Sequence, residues 1–311
     1  MILLLGAQGY VGQAFCSHFE SHQIPFESPT REKLDLSSAE DLRKQLREKR
    51  PSFLINAVGF TGKPNVDACE SAKSDTLEMN TLLPVRIGEI CSELEIPWGH
   101  ISSGCIYQGH RGVNEQGDPL GFRESDDPNF SFRTGGCSFY SGTKALAEEL
   151  LLRHFPHTYI WRLRIPFNHL DSSRNYLSKM LRYQRLLDAR NSLSHLADFV
   201  ASAWATVERN LPFGIYNLTN PGAVTTRDVI AMIQREGERR LRQGDNRTAR
   251  AFLRDFAFFT SEEEFMASGV VAPRSHCILD TSKAESHKLP LRPVREALVD
   301  SLQEWEWEQK A

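Results

Sequence analysis

The sequence predicts an α/β protein: a Rossmann-like, doubly wound parallel sheet with a smaller C-terminal α/β lobe. Three observations carry that prediction. Glycines at 6, 9 and 12 sit between an apolar run, Ile2-Leu3-Leu4-Leu5, and a segment of helical periodicity. Strand-like and helix-like segments then alternate as far as residue 165, the pattern of parallel strands joined by crossover helices. Phe53 to Val58 is apolar except for Asn56, as a strand buried on both faces requires.

In chain order, Ile2 to Leu5 is the first strand, and Val11, Ala14, Phe15, His18 and Phe19 mark the first helix. Ile24 to Phe26 gives a short second strand. Ser37 to Lys49 is a charged helix with Ser38 as its cap, and Phe53 to Val58 is the third strand. Asp75 to Glu95 predicts one long helix, and Trp98 to Ser102 a fourth strand. Tyr140, Leu146, Ala147, Leu150 and Leu151 mark the helix that begins at Ser138. Tyr159 to Ile165 follows as a strand, and Ile215 to Thr219 as a strand returning to the sheet. Residues 1–165, with return segments near 190–220, form the expected dinucleotide domain, and residues 166–311 an interleaved substrate-binding lobe. The long Gly-, Asp- and Pro-rich stretch from Tyr107 to Gly136 is a lid candidate.

The 311 residues are 40% apolar and 25% charged, with a net charge of −3, which suits an ordinary soluble globular protein and argues against a nucleic-acid partner. The most basic stretch, Arg235 to Arg254, is interrupted by Glu236, Glu238 and Asp245, and reads as a solvated helical insertion. Six cysteines show neither CxxC pairs nor zinc spacing, so no metal site is expected. The apolar start is too short for a signal or membrane segment. A reducing cytoplasm is the expected compartment.

The loop residues Gly6, Gln8, Gly9, Tyr10, Val11 and Gly12 form a cradle that brings backbone N–H groups against a pyrophosphate at a helix N-terminus. Choice of dinucleotide turns on the end of the second strand. Glu27 would favour NADH; Arg31, with Lys33 nearby, would accept a 2′-phosphate, and NADPH is the expected cofactor. Downstream, Tyr140 and Lys144 lie four residues apart on one helix face, where an ammonium can lower a phenol's pKa. Such a tyrosine can protonate the alkoxide left by hydride transfer, with Ser103 at a strand end hydrogen-bonding the same oxygen.

Gly6 to Gly12, Asn56-Ala57, Asn80, Ser102-Ser103 and Tyr140 to Lys144 together resemble an extended short-chain dehydrogenase/reductase over nearly the whole chain. More specific blocks are Gly62-Lys-Pro-Asn-Val-Asp-Ala-Cys-Glu70, Ser103-Gly-Cys-Ile-Tyr107, Gly121-Phe-Arg-Glu124, Arg174-Asn175 with Lys179, Thr219-Asn-Pro-Gly222 and Val271-Ala-Pro-Arg-Ser275. These resemble the bifunctional nucleotide-4-keto-6-deoxyglucose 3,5-epimerase/4-reductases of nucleotide-rhamnose synthesis, relatives of the dTDP-4-dehydrorhamnose reductases. The resemblance implies a nucleotide-diphosphate 4-keto-6-deoxy sugar as substrate, with UDP or dTDP left open. It implies cofactor contacts at Asp35, Leu36, Ala57 and Asn80, substrate contacts at Thr61, Asn65 and Arg274, and it admits a homodimer. The preceding 4,6-dehydratase is excluded, because Gly104 and Cys105 stand where that enzyme carries an Asp-Glu pair. Two insertions depart from the pattern, around residues 132–137 and 236–252.

Epimerisation at C3 and C5 needs an acid and a base that reduction alone does not. The resemblance assigns them to Cys105, which replaces the tyrosine of reductase-only relatives, and to Lys179, without deciding which is which. Two other readings remain open on the sequence: a reductase without epimerase activity, and a non-catalytic NADP-binding regulatory subunit.

Overall fold

The computed structural model describes residues 1–30 and 32–308. Six strands form one parallel sheet: β1 (Ile2–Leu5), β2 (Phe26–Glu27), β3 (Phe53–Asn56), β4 (Trp98–Ser103), β5 (Thr158–Leu163) and β6 (Gly214–Asn217), in the order β6-β5-β4-β3-β1-β2. The order reverses between β1 and β3, and it is at such a reversal that doubly wound sheets bind ligands beyond their strand ends. The second strand is two residues long rather than three and begins at Phe26, two residues later than its apolar pattern suggests.

Helices cover both faces because the strands are apolar on both. Phe15 and Phe19 of α1 (Tyr10–Ser21) meet Trp161 and Tyr159 on one face. On the other face, Leu42 and Leu46 of α2 (Ala39–Lys49) and Ile87 and Ile90 of α3 (Leu83–Glu93) meet Leu151 of α4 (Phe139–His154). Ser38 caps α2 as its sequence indicates, accepting the Asp41 N–H at 3.1 Å. The long helix expected from Asp75 is interrupted: Lys73–Leu77 leads into a π-helical turn, Glu78–Leu82, before α3 begins. Such turns are rare and cluster at functional sites, and this one carries Asn80.

After β5 the chain builds a second core and then returns. Leu177 of α5 (Tyr176–Arg182) belongs to that second core. Phe199 and Ala203 of α6 (Leu196–Glu208) pack back onto the first core, and β6 completes the sheet. Val229 and Ile233 of α7 (Thr226–Arg242), Phe252 of α8 (Asn246–Phe252) and Leu298 of α9 (Val294–Gln303) close the second core with Trp305.

Two stretches singled out in the sequence are tied down. The Arg235–Arg254 stretch is helical, as expected, but not wholly solvated: Glu236 is buried between Arg239 and Arg240, and Phe252 is fully buried. The segment from Tyr107 to Gly136 is tied to the body of the protein. Tyr107 stacks on Phe122 with ring centres 4.5 Å apart, Phe122 bridges Leu279, and Asn217 donates to the Phe122 carbonyl at 3.0 Å.

Candidate active site

The glycine loop has the geometry a dinucleotide pyrophosphate needs. Gly6 lies at a φ of +84°, and a Cβ on Gly12 would stand 2.1 Å from the Gly6 carbonyl oxygen, so a side chain is excluded at both positions. Gly9 N-caps α1 without a side-chain bond, and no acid occupies the first turn. The first N–H groups of α1 therefore remain free for phosphate oxygens. Gln8 is exposed beside them, Val11 joins the core, and the Tyr10 hydroxyl donates to Asn168 at 3.0 Å. Ala57 donates its N–H to the Leu5 carbonyl at 2.9 Å, which holds the ends of β1 and β3 together. Asp35 accepts two bonds from Ser37, which hold its carboxyl below the usual range, and the Leu36 carbonyl accepts from Arg86 at 2.9 Å. Arg31, the residue expected to select NADPH, lies outside the described residues. The Asn80 side chain is spent on the protein, accepting the Phe60 N–H at 2.8 Å and donating to the Phe60 carbonyl at 2.9 Å.

The residues expected to form the reduction centre, Ser103, Tyr140 and Lys144, come together at the carboxyl end of β4. Ser138 caps α4 through the Ser141 N–H, so Tyr140 and Lys144 enter the site from the first two turns, and both are buried. The Lys144 ammonium donates to the Ile101 carbonyl at 3.1 Å; burial brings its pKa down to about 8, against the pull of Glu148 and Cys105. Burial pushes the Tyr140 phenol well above its ordinary value; Cys105 adds to the rise, while Ser103 and Arg164 oppose it. The lowering expected from Lys144 is thus outweighed by the burial of the phenol itself. A protonated Tyr140 is the form that can donate.

Beneath this pair is a buried polar layer that sequence reasoning missed. Glu148 receives Arg162 at 2.7 Å and the Ser102 hydroxyl. His100 bonds Asn56 at 3.1 Å and is kept neutral by burial and by the Lys144 charge.

Cys105 occupies the short turn after β4, where its N–H donates to the Ser103 hydroxyl at 3.1 Å. Arg164, just beyond β5, donates to its sulfur at 2.8 Å. Lys179 stands on α5; burial, with Arg174 and Arg274 close by, holds its ammonium below the ordinary lysine range. Arg174 reaches Thr61 and the Gly62 carbonyl, both at 2.9 Å, and Asn65 accepts the Asp67 N–H at 2.8 Å. Arg274 forms a forked pair with Asp67, two bonds of 2.8 Å. Thr61, Asn65, Lys179 and Arg274 are thus gathered around one loop, with Arg174 as a member the sequence reading left without a role. A separate cavity of about 870 Å³, lined by Gln108, Arg190, Arg227, Phe259 and His276 among others, touches none of the assigned residues.

Near the reaction centre, the 132–137 insertion lays Phe132 over Gly142, and Arg133 pairs with Glu149. Among the described residues no helix is long and apolar enough to cross a membrane.

Similarity to known proteins agrees with this arrangement. A bifunctional dTDP-4-dehydrorhamnose 3,5-epimerase/dTDP-4-dehydrorhamnose reductase of Arabidopsis thaliana is 32% identical over 302 residues, covering 96% of this chain and 90% of its own. A trifunctional UDP-glucose 4,6-dehydratase/UDP-4-keto-6-deoxy-D-glucose 3,5-epimerase/UDP-4-keto-L-rhamnose-reductase of the same plant is 32% identical over 298 residues, but the chain, matched over 96% of its own length, spans only 41% of that protein. The L780 UDP-rhamnose synthase of Acanthamoeba polyphaga mimivirus has the same fold, with a TM-score of 0.83 at 22% identity, covering 97% of this chain and 98% of that one. The RmlD substrate binding domain family matches residues 1–306, and with the glycine cradle and the Ser103, Tyr140 and Lys144 centre in place, the chain belongs to that family of extended short-chain dehydrogenase/reductases, the NAD(P)-dependent nucleotide-sugar 4-ketoreductases.

Proposed function

We propose that this chain inverts C3 and C5 of a nucleotide-diphosphate 4-keto-6-deoxyglucose and then reduces C4, giving the nucleotide-activated L-rhamnose. The observation that carries this reading is Cys105, which a guanidinium holds close enough to Tyr140 to act on its phenol. A reductase needs no thiol there. The Arabidopsis relative named for both activities, matched over nearly the whole chain, supports the same reading.

The glycine cradle would hold NADPH, which would supply the hydride. Ser103 hydrogen-bonds the C4 oxygen, and Tyr140 gives that oxygen its proton as the alkoxide forms. Lys144 would keep a positive charge beside the phenol and would hold the nicotinamide ribose. Before reduction, Cys105 and Lys179 exchange protons with C3 and C5, whose hydrogens the C4 ketone acidifies. A lysine with a depressed pKa exchanges protons near neutrality more readily than an ordinary one. Thr61 and Asn65 face the sugar, and Arg274 passes its fork from Asp67 to the diphosphate.

The test is incubation with NADPH and the UDP or dTDP 4-keto-6-deoxyglucose in deuterated water, with products identified by NMR. Rhamnose carrying deuterium at C3 and C5 is expected, and Cys105→Ala should lose both labels. Normal labelling in that variant would remove Cys105 from the mechanism. Rhamnose formed only after a separate epimerase is added would identify a reductase alone.

A further inference from the structure

We infer that Arg164 is the positioning residue for Cys105: it fixes the sulfur in the pocket and balances the negative charge the sulfur carries once its proton has left. The inference rests on the epimerase reading above and assigns a role to a residue outside the reduction centre.

The guanidinium is held from three directions. One terminal nitrogen donates to the Cys105 sulfur at 2.8 Å, and the other donates to Asn191 at 2.6 Å and to the Ser275 carbonyl at 2.5 Å. The backbone is clamped as well, since the Arg164 N–H donates to the Ser194 hydroxyl at 3.0 Å and its carbonyl accepts the Ser194 N–H at 2.7 Å. The side chain is 1% exposed.

Its surroundings show what the charge is for. A guanidinium buried only for structure is ordinarily neutralised by a carboxylate. This chain does that two residues earlier, where Arg162 faces Glu148. Among the described residues Arg164 has no carboxylate partner; it meets an amide, a carbonyl and a thiol, and its Nε is buried without a partner. Of the groups within hydrogen-bond reach, Cys105 alone can become an anion. Cys277, also nearby, directs its thiol to the Gly104 carbonyl at 3.1 Å.

The chemistry requires such an anion in either direction of proton flow. When the C–H bond at C3 or C5 breaks, its electron pair forms a double bond to C4, the carbonyl π pair moves to the C4 oxygen, and the proton passes to one member of the pair. The other member then protonates the opposite face, so the sulfur is charged in one half of each inversion, and exchange with solvent resets the pair. A fixed cation 2.8 Å from the sulfur stabilises that half without reorganising.

The test measures alkylation of Cys105 by iodoacetamide at pH 7, resolved by peptide mass spectrometry, in Arg164→Gln and Arg164→Lys, with folding checked by NADPH binding. Loss of the charge in Arg164→Gln should slow alkylation about tenfold or more, and the lysine should restore most of it. In the same variant, deuterium entry at C3 and C5 should fall about tenfold further than reduction of the already epimerised 4-keto sugar. Equal alkylation rates in wild type and Arg164→Gln would overturn the inference, as would equal rates in the two variants. Should neither variant fold, the wild type decides: Cys105 must react faster than in the urea-unfolded chain, and an equal or slower rate refutes the role. The alkylation readout is independent of turnover, so failure of the epimerase reading, seen as normal labelling by Cys105→Ala, is distinguishable from failure of this one.

Discussion

Glu148 and Arg162 face each other at 2.7 Å with both side chains sealed from solvent, one helical turn from Lys144. The pair links stability to the ionisation of Lys144. Removing the carboxylate in Glu148→Gln leaves a buried, uncompensated guanidinium, which should cost about 3–5 kcal/mol in urea denaturation. Glu148 also raises the pKa of Lys144, which burial has brought down to about 8. Without it the ammonium loses its proton at lower pH, so the alkaline limb of the reduction profile should move to lower pH. An unmoved limb would show that Lys144 does not control it.

Tyr140→Phe removes the only proton donor assigned to the C4 oxygen. Reduction should fall by about two to four orders of magnitude. NADPH binding, followed by fluorescence titration, should stay close to that of the wild type.

Gly12→Ala tests the cradle. Its Cβ would stand 2.1 Å from the Gly6 carbonyl oxygen, backbone that cannot swing aside, so the loop must open. The dissociation constant for NADPH should rise about tenfold or more by calorimetry.

Arg274→Ala separates a substrate clamp from a structural ion pair. If the fork passes from Asp67 to the diphosphate, KM should rise about tenfold or more with kcat little changed. If the pair only ties the two segments together, thermal stability should drop and KM should hold.

Asp198 gives an acid-stability prediction. Burial pushes its carboxyl up, but hydrogen bonds from His195 and Arg292 overcome this and bring it down to about 2, from an ordinary 3.8. The unfolded chain therefore binds the proton first, and the stabilisation present above pH ~4 is lost as the pH falls towards 2. This contribution is about 2 kcal/mol at neutral pH, and Asp198→Asn should flatten the acid limb of the stability curve.

Much of the cofactor half was legible because its signals are local. The glycine spacing, the Ser38 cap and the apolar strands each depend on a few neighbouring residues. The positions of Ser103 at a strand end and of Tyr140 and Lys144 on one helix were legible for the same reason, being short local motifs. Arg164 was not, because its partners Asn191 and Ser275 lie 27 and 111 residues further on. The sign was nonetheless present: two arginines, 162 and 164, close an apolar strand where each charge must find a partner. Glu236 was read as solvated because a run of charges does not reveal that a helix will be covered by α8 and α9. Tyr140 shows the limit of pairwise reasoning: helix spacing puts Lys144 nearby, but depth of burial decides the direction in which the phenol moves.

The segment from Ala272 to Leu279 meets the earlier part of the chain at several points. Arg274 clasps Asp67, the Ser275 carbonyl anchors Arg164, the Cys277 thiol reaches the Gly104 carbonyl, and Leu279 bridges Phe122. The pocket therefore has a keystone that follows the whole six-stranded sheet in the chain. A nascent chain that has already folded that sheet still has Cys105 without its full support until residues 272–279 have emerged.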